Sequence, residues 1–247
     1  MENEAIFTAN YRVRVTDADR NGILKLRALF QMLQEIADAH ARKLKVSAPD
    51  LKEKNLAWAL SKMAVEVDRL PKWDERVFLK TWASVRERIV TYREFDAVSE
   101  SGNPLFRASS QWLLFDSKTR RIAKLERLET DWPRDNSKAV ECDFSSHLQN
   151  LPPTMPPVVC TVRNDDIDLN AHVNNSVYIV WAIEPLPQEF LDEHRPQKIT
   201  INFLEETFPK NRIESNCAME GAFTTHSLLN KESGHECARI NIQWVKI

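Results

Sequence analysis

A chain of 247 residues is long enough for two domains of roughly 120 residues each, and a 43% hydrophobic, 28% charged composition is that of a globular protein with a substantial core. Lys plus Arg number 34 against 36 Asp plus Glu, a net charge of -2, which argues against a general nucleic-acid binder, since engaging phosphates calls for a basic excess. The only four glycines, Gly22, Gly102, Gly221 and Gly234, exclude a Gly-rich dinucleotide fingerprint or a P-loop.

The first residues, Met1-Glu2-Asn3-Glu4-Ala5, are acidic and lack the basic-then-apolar pattern of a signal peptide. No apolar run approaches the ~18 residues of a membrane span. Leu26 to Lys43 is an amphipathic helix, with Leu26, Leu29, Phe30, Leu33, Ile36 and Ala37 at i, i+3, i+4, i+7 spacing. Alternating, β-rich runs follow at Trp58 to Val67, Val77 to Ser84, Thr91 to Val98 and Ser109 to Phe115, broken by turns such as Ser101-Gly102-Asn103-Pro104. A long helix followed by antiparallel strands must cover one sheet face, which gives an α+β fold. Residues from about Glu126 to Pro157, ending in Leu151-Pro152-Pro153-Thr154-Met155-Pro156-Pro157, read as a stiff linker. Ser176 to Glu184 has the Val, Ile, Tyr and Trp content of a strand, but Asn174 and Asn175 can cap a helix there and Pro185 can end it.

The chain repeats itself. Asp19-Arg20-Asn21-Gly22-Ile23 matches Asp168-Leu169-Asn170-Ala171-His172 at an offset of 149 (168 − 19). The run before Pro71-Lys72 resembles that before Pro209-Lys210 at an offset of 138 (209 − 71), and Gln111-Trp112 matches Gln243-Trp244 at 132 (243 − 111). Shrinking offsets in a fixed order mean duplication with shorter connections in the second copy. The helix reading of Ser176 to Glu184 gains from this, because its partner segment is plainly helical. The copies are read as 1–127 and 155–247, joined by a linker at 128–154.

Reactive side chains cluster at Asp168-Leu169-Asn170-Ala171-His172-Val173-Asn174-Asn175. If the chain turns into a helix near His172, backbone N–H groups of Val173 and Asn174 form an anion-binding corner of the kind acyl transfer needs around an oxyanion. The competing reading is a turn ahead of a helix with an ordinary surface histidine. The repeat weighs against it: the first copy keeps Asp19 and Asn21, which suit a shared turn, but has Ile23 in place of His172. His40 reads as a cation suited to a helix C-terminus, and His147, His194, His226 and His235 are isolated in polar segments with no metal-ligand spacing, so neither a metal site nor a cofactor is expected. The four cysteines (Cys142, Cys160, Cys217 and Cys237) lack C-x-x-C spacing, which suggests a reducing, cytoplasmic setting; Cys237 lies two residues from His235 and is the weaker candidate for a nucleophile.

The motif Asp168-x-Asn170-x-His172-x-Asn174-Asn175-x-x-Tyr178-x-x-Trp181-x-x-Glu184 closely resembles the signature of the acyl-acyl-carrier-protein (acyl-ACP) thioesterases, and Tyr11-x-Val13-x-x-x-Asp17 resembles that family's N-terminal half. The resemblance implies two tandem hotdog domains, each a long helix packed on a curved antiparallel sheet, and hydrolysis of the thioester between a fatty acyl chain and the carrier's phosphopantetheine. It carries active-site roles to Asp168, Asn170 and His172, and a further family glutamate falls on Glu206. Where plant members often have a cysteine after that glutamate, this chain has Thr207, which favours carboxylate–imidazole chemistry: Glu206 or Asp168 either activates a water or attacks the thioester directly, His172 moves protons and Asn170 positions the thioester.

The resemblance also assigns the acyl tail to the N-terminal copy, where Trp58, Leu60, Met63 and Val65 are candidates to line its pocket, although strand faces must bury such residues in any case. The carrier is acidic as a class. Lys118, Arg120, Arg121, Lys124 and Arg127 form the richest basic candidate for docking it, with Arg86, Arg88 and Arg93 a second. A hotdog acyl-CoA thioesterase, an (R)-specific enoyl hydratase and a non-enzymatic acyl-binding module are the alternatives, and a homodimer is compatible with each. The hydratase motif usually has Asn-Pro-x-His, whereas here only Ala171 separates Asn170 from His172.

Overall fold

The computed structural model describes residues 5–247 and comprises two compact units, the first running to Asp143 and the second from Phe144 to Ile247. Residues 1–4, and with them most of the acidic start weighed against a signal peptide, lie outside the described residues. Among the described residues no helix is long and apolar enough to cross a membrane.

The first unit contains β1 (Ile6–Arg12), α1 (Leu26–Lys43), α2 (Ala48–Glu53), β2 (Leu56–Val67), β3 (Arg76–Arg86), β4 (Val90–Ser99), β5 (Pro104–Asp116) and the short β6 (Arg121–Ile122). Its antiparallel strands lie in the order β1-β3-β4-β5-β2, with β6 added to β5. The second unit contains β7 (Val158–Thr161), α3 (Asn175–Ile183), α4 (Gln188–Glu193), β8 (His194–Phe203), β9 (Arg212–Glu220), β10 (Phe223–Asn230) and β11 (Glu236–Lys246), in the order β7-β9-β10-β11-β8. Matching β1 with β7, β2 with β8 and so on to β5 with β11, the two orders are the same. The duplication read from the sequence is a duplication of topology.

The apolar stripe of α1 is what holds it to its sheet. Leu29, Leu33 and Ile36 are fully buried, each contributing about 1.5–3 kcal/mol of burial. The second-copy segment is helical as α3, and six of its nine residues are buried, so apolar side chains surround it and β-propensity is overridden by burial. Asn174 Oδ1 caps it by accepting from the Ser176 amide at 2.9 Å. With nine residues against the 18 of α1, α3 accounts for most of the shortening between copies.

Hydrogen bonds correct the middle register of the repeat. The Asp68 and Arg69 amides both donate to the Leu105 carbonyl, and the Leu204 and Glu205 amides both donate to the Cys237 carbonyl. Leu24 N–H donates to Pro71 O, and Val173 N–H to Thr207 O. These pairs set the offset at 136 (204 − 68 and 207 − 71), not 138. A bulge repeats at the same place, between Leu60 and Lys62 in β2 and between Pro196 and Lys198 opposite Trp244 and Gln243 in β8. The matching Pro-Lys dipeptides misled the sequence alignment, because a dipeptide is local whereas the hydrogen-bond ladder fixes register over the whole strand. In the corrected register Glu206 stands opposite Leu70 and Thr207 opposite Pro71.

Two histidines need correction. His40 is not a solvated cation at a helix end: it is fully buried, stacked on Phe7 and 3.0 Å from Arg93 Nη1, and burial with the nearby guanidinium lowers its pKa to about 3. His226 lies buried in β10, its Nε2 2.8 Å from Thr224 Oγ1, with burial lowering its pKa to about 4. The segment read as linker is pinned at both ends. Trp132 lies under Arg86 at 4.7 Å, Trp82 Nε1 donates to Ser137 O, and Ala139 N–H donates to buried Glu94, all in the first unit. In the second unit the Thr154 and Met155 amides donate to Cys217 O.

Candidate active site

In the second unit, residues 168–172 form a tight turn. Asp168 Oδ1 accepts from the Asn170 amide at 2.8 Å, Asp168 O accepts from the Ala171 amide at 3.0 Å, and the Asp168 amide donates to His172 O at 2.8 Å. The first unit repeats this at Asp19: Oδ1 accepts from the Asn21 amide at 2.8 Å, O from the Gly22 amide at 3.0 Å, and the Asp19 amide donates to Ile23 O at 2.8 Å. The fourth residue is left-handed in both, Gly22 at φ +73° and Ala171 at φ +63°. Asp168 and Asn170 therefore share a turn-forming arrangement with a copy that has no histidine.

His172 and Glu206 are the pair that differs. His172 Nδ1 lies 3.3 Å from Glu206 Oε1, with the side chains 27% and 44% exposed, so both reach solvent. Their counterparts in the first unit are Ile23 and Leu70, apolar residues that hold no proton. Phe208 meets the His172 ring edge-on at 5.1 Å. Phe208, Leu204 and the wholly exposed Leu169 leave an apolar fringe in the segments that carry the pair. A carboxylate accepting from Nδ1–H leaves Nε2 as a base for a proton from water.

Among the described residues the side chains of Asp168 and His172 share no hydrogen bond; Asp168 Oδ1 is committed to its turn. Asn170 is exposed beside it. The amides of Val173 and Asn174, expected to face an oxyanion, are already used. Val173 N–H donates to Thr207 O at 3.0 Å and Asn174 N–H to Asp166 O at 2.8 Å, because the chain pairs with its neighbours before the helix begins. Thr207, in the position of the plant cysteine, is fully buried, with Oγ1 2.9 Å from the Tyr178 hydroxyl. The Cys237–His235 pair does not form. Cys237 is buried, donates to Leu228 O and is pushed up to about 12 by burial, while exposed His235 sits 3.7 Å from Glu205.

Of the acyl-pocket candidates, the β2 bulge places Trp58, Leu60, Met63 and Val65 on one face, since the extra residue shifts the alternation by one. Met63 stands opposite Ser110, as does Arg93, and Arg93 meets His40 of α1, which marks the helix-facing side. Met63 and Val65 are buried in the core, whereas Trp58 and Leu60 are half-buried; the Trp58 indole donates to Val46 O at 2.9 Å and packs against the cluster of Val46, Leu51, Leu114 and Leu125. Lys118, Arg120, Arg121, Lys124 and Arg127 are all exposed around the β5–β6 hairpin; the Thr119 amide and then Arg127, bound at 2.6 Å, lower the pKa of the Asp116 carboxyl to about 2. The second basic set dissolves, as Arg86 donates to Thr130 O and Leu125 O and Arg93 packs against α1. The repeat at offset 149 already sets Tyr178 against Leu29, but what the Tyr178 hydroxyl and the Phe208 ring meet is not legible in the sequence.

Comparison with known proteins agrees with this architecture. The acyl-ACP thioesterase N-terminal domain model matches residues 4–128 and the C-terminal domain model residues 158–246. The chain is 28% identical over 267 aligned residues to the chloroplastic palmitoyl-acyl carrier protein thioesterase of Gossypium hirsutum, covering 99% of this chain and 65% of that one. It is 25% identical to the chloroplastic oleoyl-acyl carrier protein thioesterase 2 of Arabidopsis thaliana, covering 95% and 68%. The chain thus spans about two thirds of the length of these relatives. Among solved structures, the 12:0-ACP thioesterase from Umbellularia californica superposes with a TM-score of 0.89 at 22% identity, covering 98% of each chain. An acyl-ACP thioesterase from Bacteroides thetaiotaomicron VPI-5482 superposes at 0.87 and 23%, covering 99% of this chain and 100% of that one. At these identities the structural likeness establishes the fold, two hotdog units in tandem.

Proposed function

We propose that this chain, which belongs to the acyl-ACP thioesterase family, hydrolyses the thioester of a fatty acyl chain on an acyl carrier protein, releasing the free acid and the carrier's thiol. The observation that carries the reading is the His172–Glu206 contact at 3.3 Å, made by two residues whose counterparts in the first unit are Ile23 and Leu70. Glu206 accepts a hydrogen bond from His172 Nδ1–H and orients the ring. His172 Nε2 then takes a proton from water as the water oxygen attacks the thioester carbonyl, and returns a proton to the sulfur when the C–S bond breaks. Glu206 is the carboxylate of the reacting pair, and Asp168 holds the turn.

With Val173 and Asn174 engaged, the donors nearest to hand for the developing oxyanion are the Asn170 carboxamide and the Asn175 amide, the first of α3. Ser176 N–H is taken by Asn174 Oδ1 and Val177 N–H by Asn174 O, and among the described residues Asn175 N–H has no acceptor. The acyl tail is assigned to the helix-facing side of the first sheet, along Leu60, Met63 and Val65, with Trp58 held by its bond to Val46 O. The exposed basic hairpin at Lys118, Arg120, Arg121 and Lys124 suits an acidic carrier. Thiol release is to be followed with carrier-linked and coenzyme A-linked acyl chains of graded length. Carrier-linked chains hydrolysed with the higher kcat/KM support the assignment; equal or better use of the coenzyme thioester removes the carrier from it.

A further inference from the structure

Tyr178 reaches from the first turn of α3 to the loop that carries Glu206. Its hydroxyl donates to Glu205 O at 3.3 Å and shares a 2.9 Å hydrogen bond with Thr207 Oγ1, so it grips the residues on either side of Glu206. The contact is dry: Tyr178 is 3% exposed and Thr207 is fully buried. Phe203 and Trp181 fix the phenol ring, at 5.5 and 5.4 Å. Burial drives the phenol well above its usual range, so it remains a neutral donor. On its far side, Thr207 O accepts from Val173 N–H, the residue after His172.

The duplicate copy acts as an internal control. Leu29 and Pro71 stand where Tyr178 and Thr207 stand, and neither has a hydroxyl. The hydroxyl pair is therefore unnecessary for the fold of a hotdog unit. It occurs in the unit that also exchanges Ile23 for His172 and Leu70 for Glu206.

We propose that Tyr178 and Thr207 are positioning residues that hold the Glu206 carboxylate within hydrogen-bond reach of His172. This rests on the reading of His172 and Glu206 as the reacting pair. A carboxylate on an irregular loop has many orientations, and the buried Tyr178 hydroxyl, bonded to the Thr207 hydroxyl and to Glu205 O, reduces them at a site where misplacement by about 1 Å costs orders of magnitude in rate.

The test compares Thr207→Val, Tyr178→Phe, Thr207→Ser and Glu206→Gln, measuring kcat, KM and the thermal midpoint of each. Thr207→Val and Tyr178→Phe are expected to lower kcat by about tenfold or more with KM little changed. Thr207→Ser, which keeps the hydroxyl, should restore kcat. Wild-type kcat in Thr207→Val and Tyr178→Phe, alongside an inactive Glu206→Gln, overturns the positioning role alone. So does a kcat that falls only in proportion to the folded fraction at the assay temperature. Undiminished turnover in Glu206→Gln overturns the reading of the pair, and the positioning role with it.

Discussion

The amide of Val173 donates to the carbonyl of Thr207 at 3.0 Å, and through that bond the residue after His172 is tied to the residue after Glu206. The first unit has the same bond between Leu24 and Pro71, so the clamp is a property of the hotdog scaffold and not of the chemistry. What distinguishes the second unit is the pair of side chains placed on the clamp. The duplication thereby sorts the motif, with features common to both copies building the turn and features confined to one available for reaction.

Asp168 falls in the common class. Asp168→Asn retains an oxygen to accept from the Asn170 amide, so it should lose less than about tenfold in kcat, whereas Asp168→Ala should lose about 1 kcal/mol of stability with the hydrogen bond. Asp19→Ala should cost more, about 2 kcal/mol, because Asp19 Oδ1 accepts from both the Asn21 and Ile23 amides, with turnover per folded molecule unchanged. Parallel denaturant melts and initial rates decide the matter; an Asp168→Asn variant as inactive as Glu206→Gln would place Asp168 in the reaction.

The left-handed turn residue gives a stability test. Gly22 at φ +73° has no heavy atom within 4 Å of where a Cβ would stand, so Gly22→Ala meets only the backbone penalty and should destabilise by about 1 kcal/mol. Ala171 already bears that penalty at φ +63°, and Ala171→Gly should relieve it, less the ~0.5–1 kcal/mol entropic cost of glycine. A net change within about 0.5 kcal/mol of zero is expected in chemical denaturation.

Acid should weaken the fold through His40 and His226. Their pKa values are lowered from 6.5 to about 3 and about 4, so between those limits the unfolded chain binds protons that the folded chain does not. Stability is then full above about pH 6.5 and falls with each pH unit below it, by about 1.4 kcal/mol per histidine down to its folded pKa. Unfolding midpoints between pH 7 and 5 should drop accordingly, and His40→Gln and His226→Gln should each flatten the slope. An unaltered slope in both would mean that the imidazoles are charged in the folded state.

Charge reversal at Arg120 and Arg121, both exposed near β6, should raise KM for carrier-linked substrate several-fold at low ionic strength. The effect should shrink toward physiological salt, where the screening length is about 8 Å, and be absent with coenzyme A-linked substrate. KM values that do not respond remove this hairpin as the docking surface.

Much of this was legible in the sequence, for identifiable reasons. The α1 stripe is periodic, and α3 is legible despite its β-rich content because its partner in the repeat is helical. His172 stands out because Ile23 replaces it in an otherwise shared turn. The register at Glu206 is not legible in the sequence, since the counterpart Leu70 emerges only from the Asp68, Arg69 and Leu105 hydrogen bonds and their equivalents. Burial of His40 and His226 was invisible because it depends on strands distant in sequence, and so was the consumption of the Val173 and Asn174 amides by Thr207 and Asp166.

The most direct test is the rate of thiol release from acyl-carrier substrate by Glu206→Gln and His172→Ala, each confirmed folded by its thermal midpoint. If the two side chains form the reacting pair, each substitution lowers kcat by about 10²–10⁴-fold, and the double variant loses little more than either single one. Near wild-type turnover in the His172→Ala variant would contradict it.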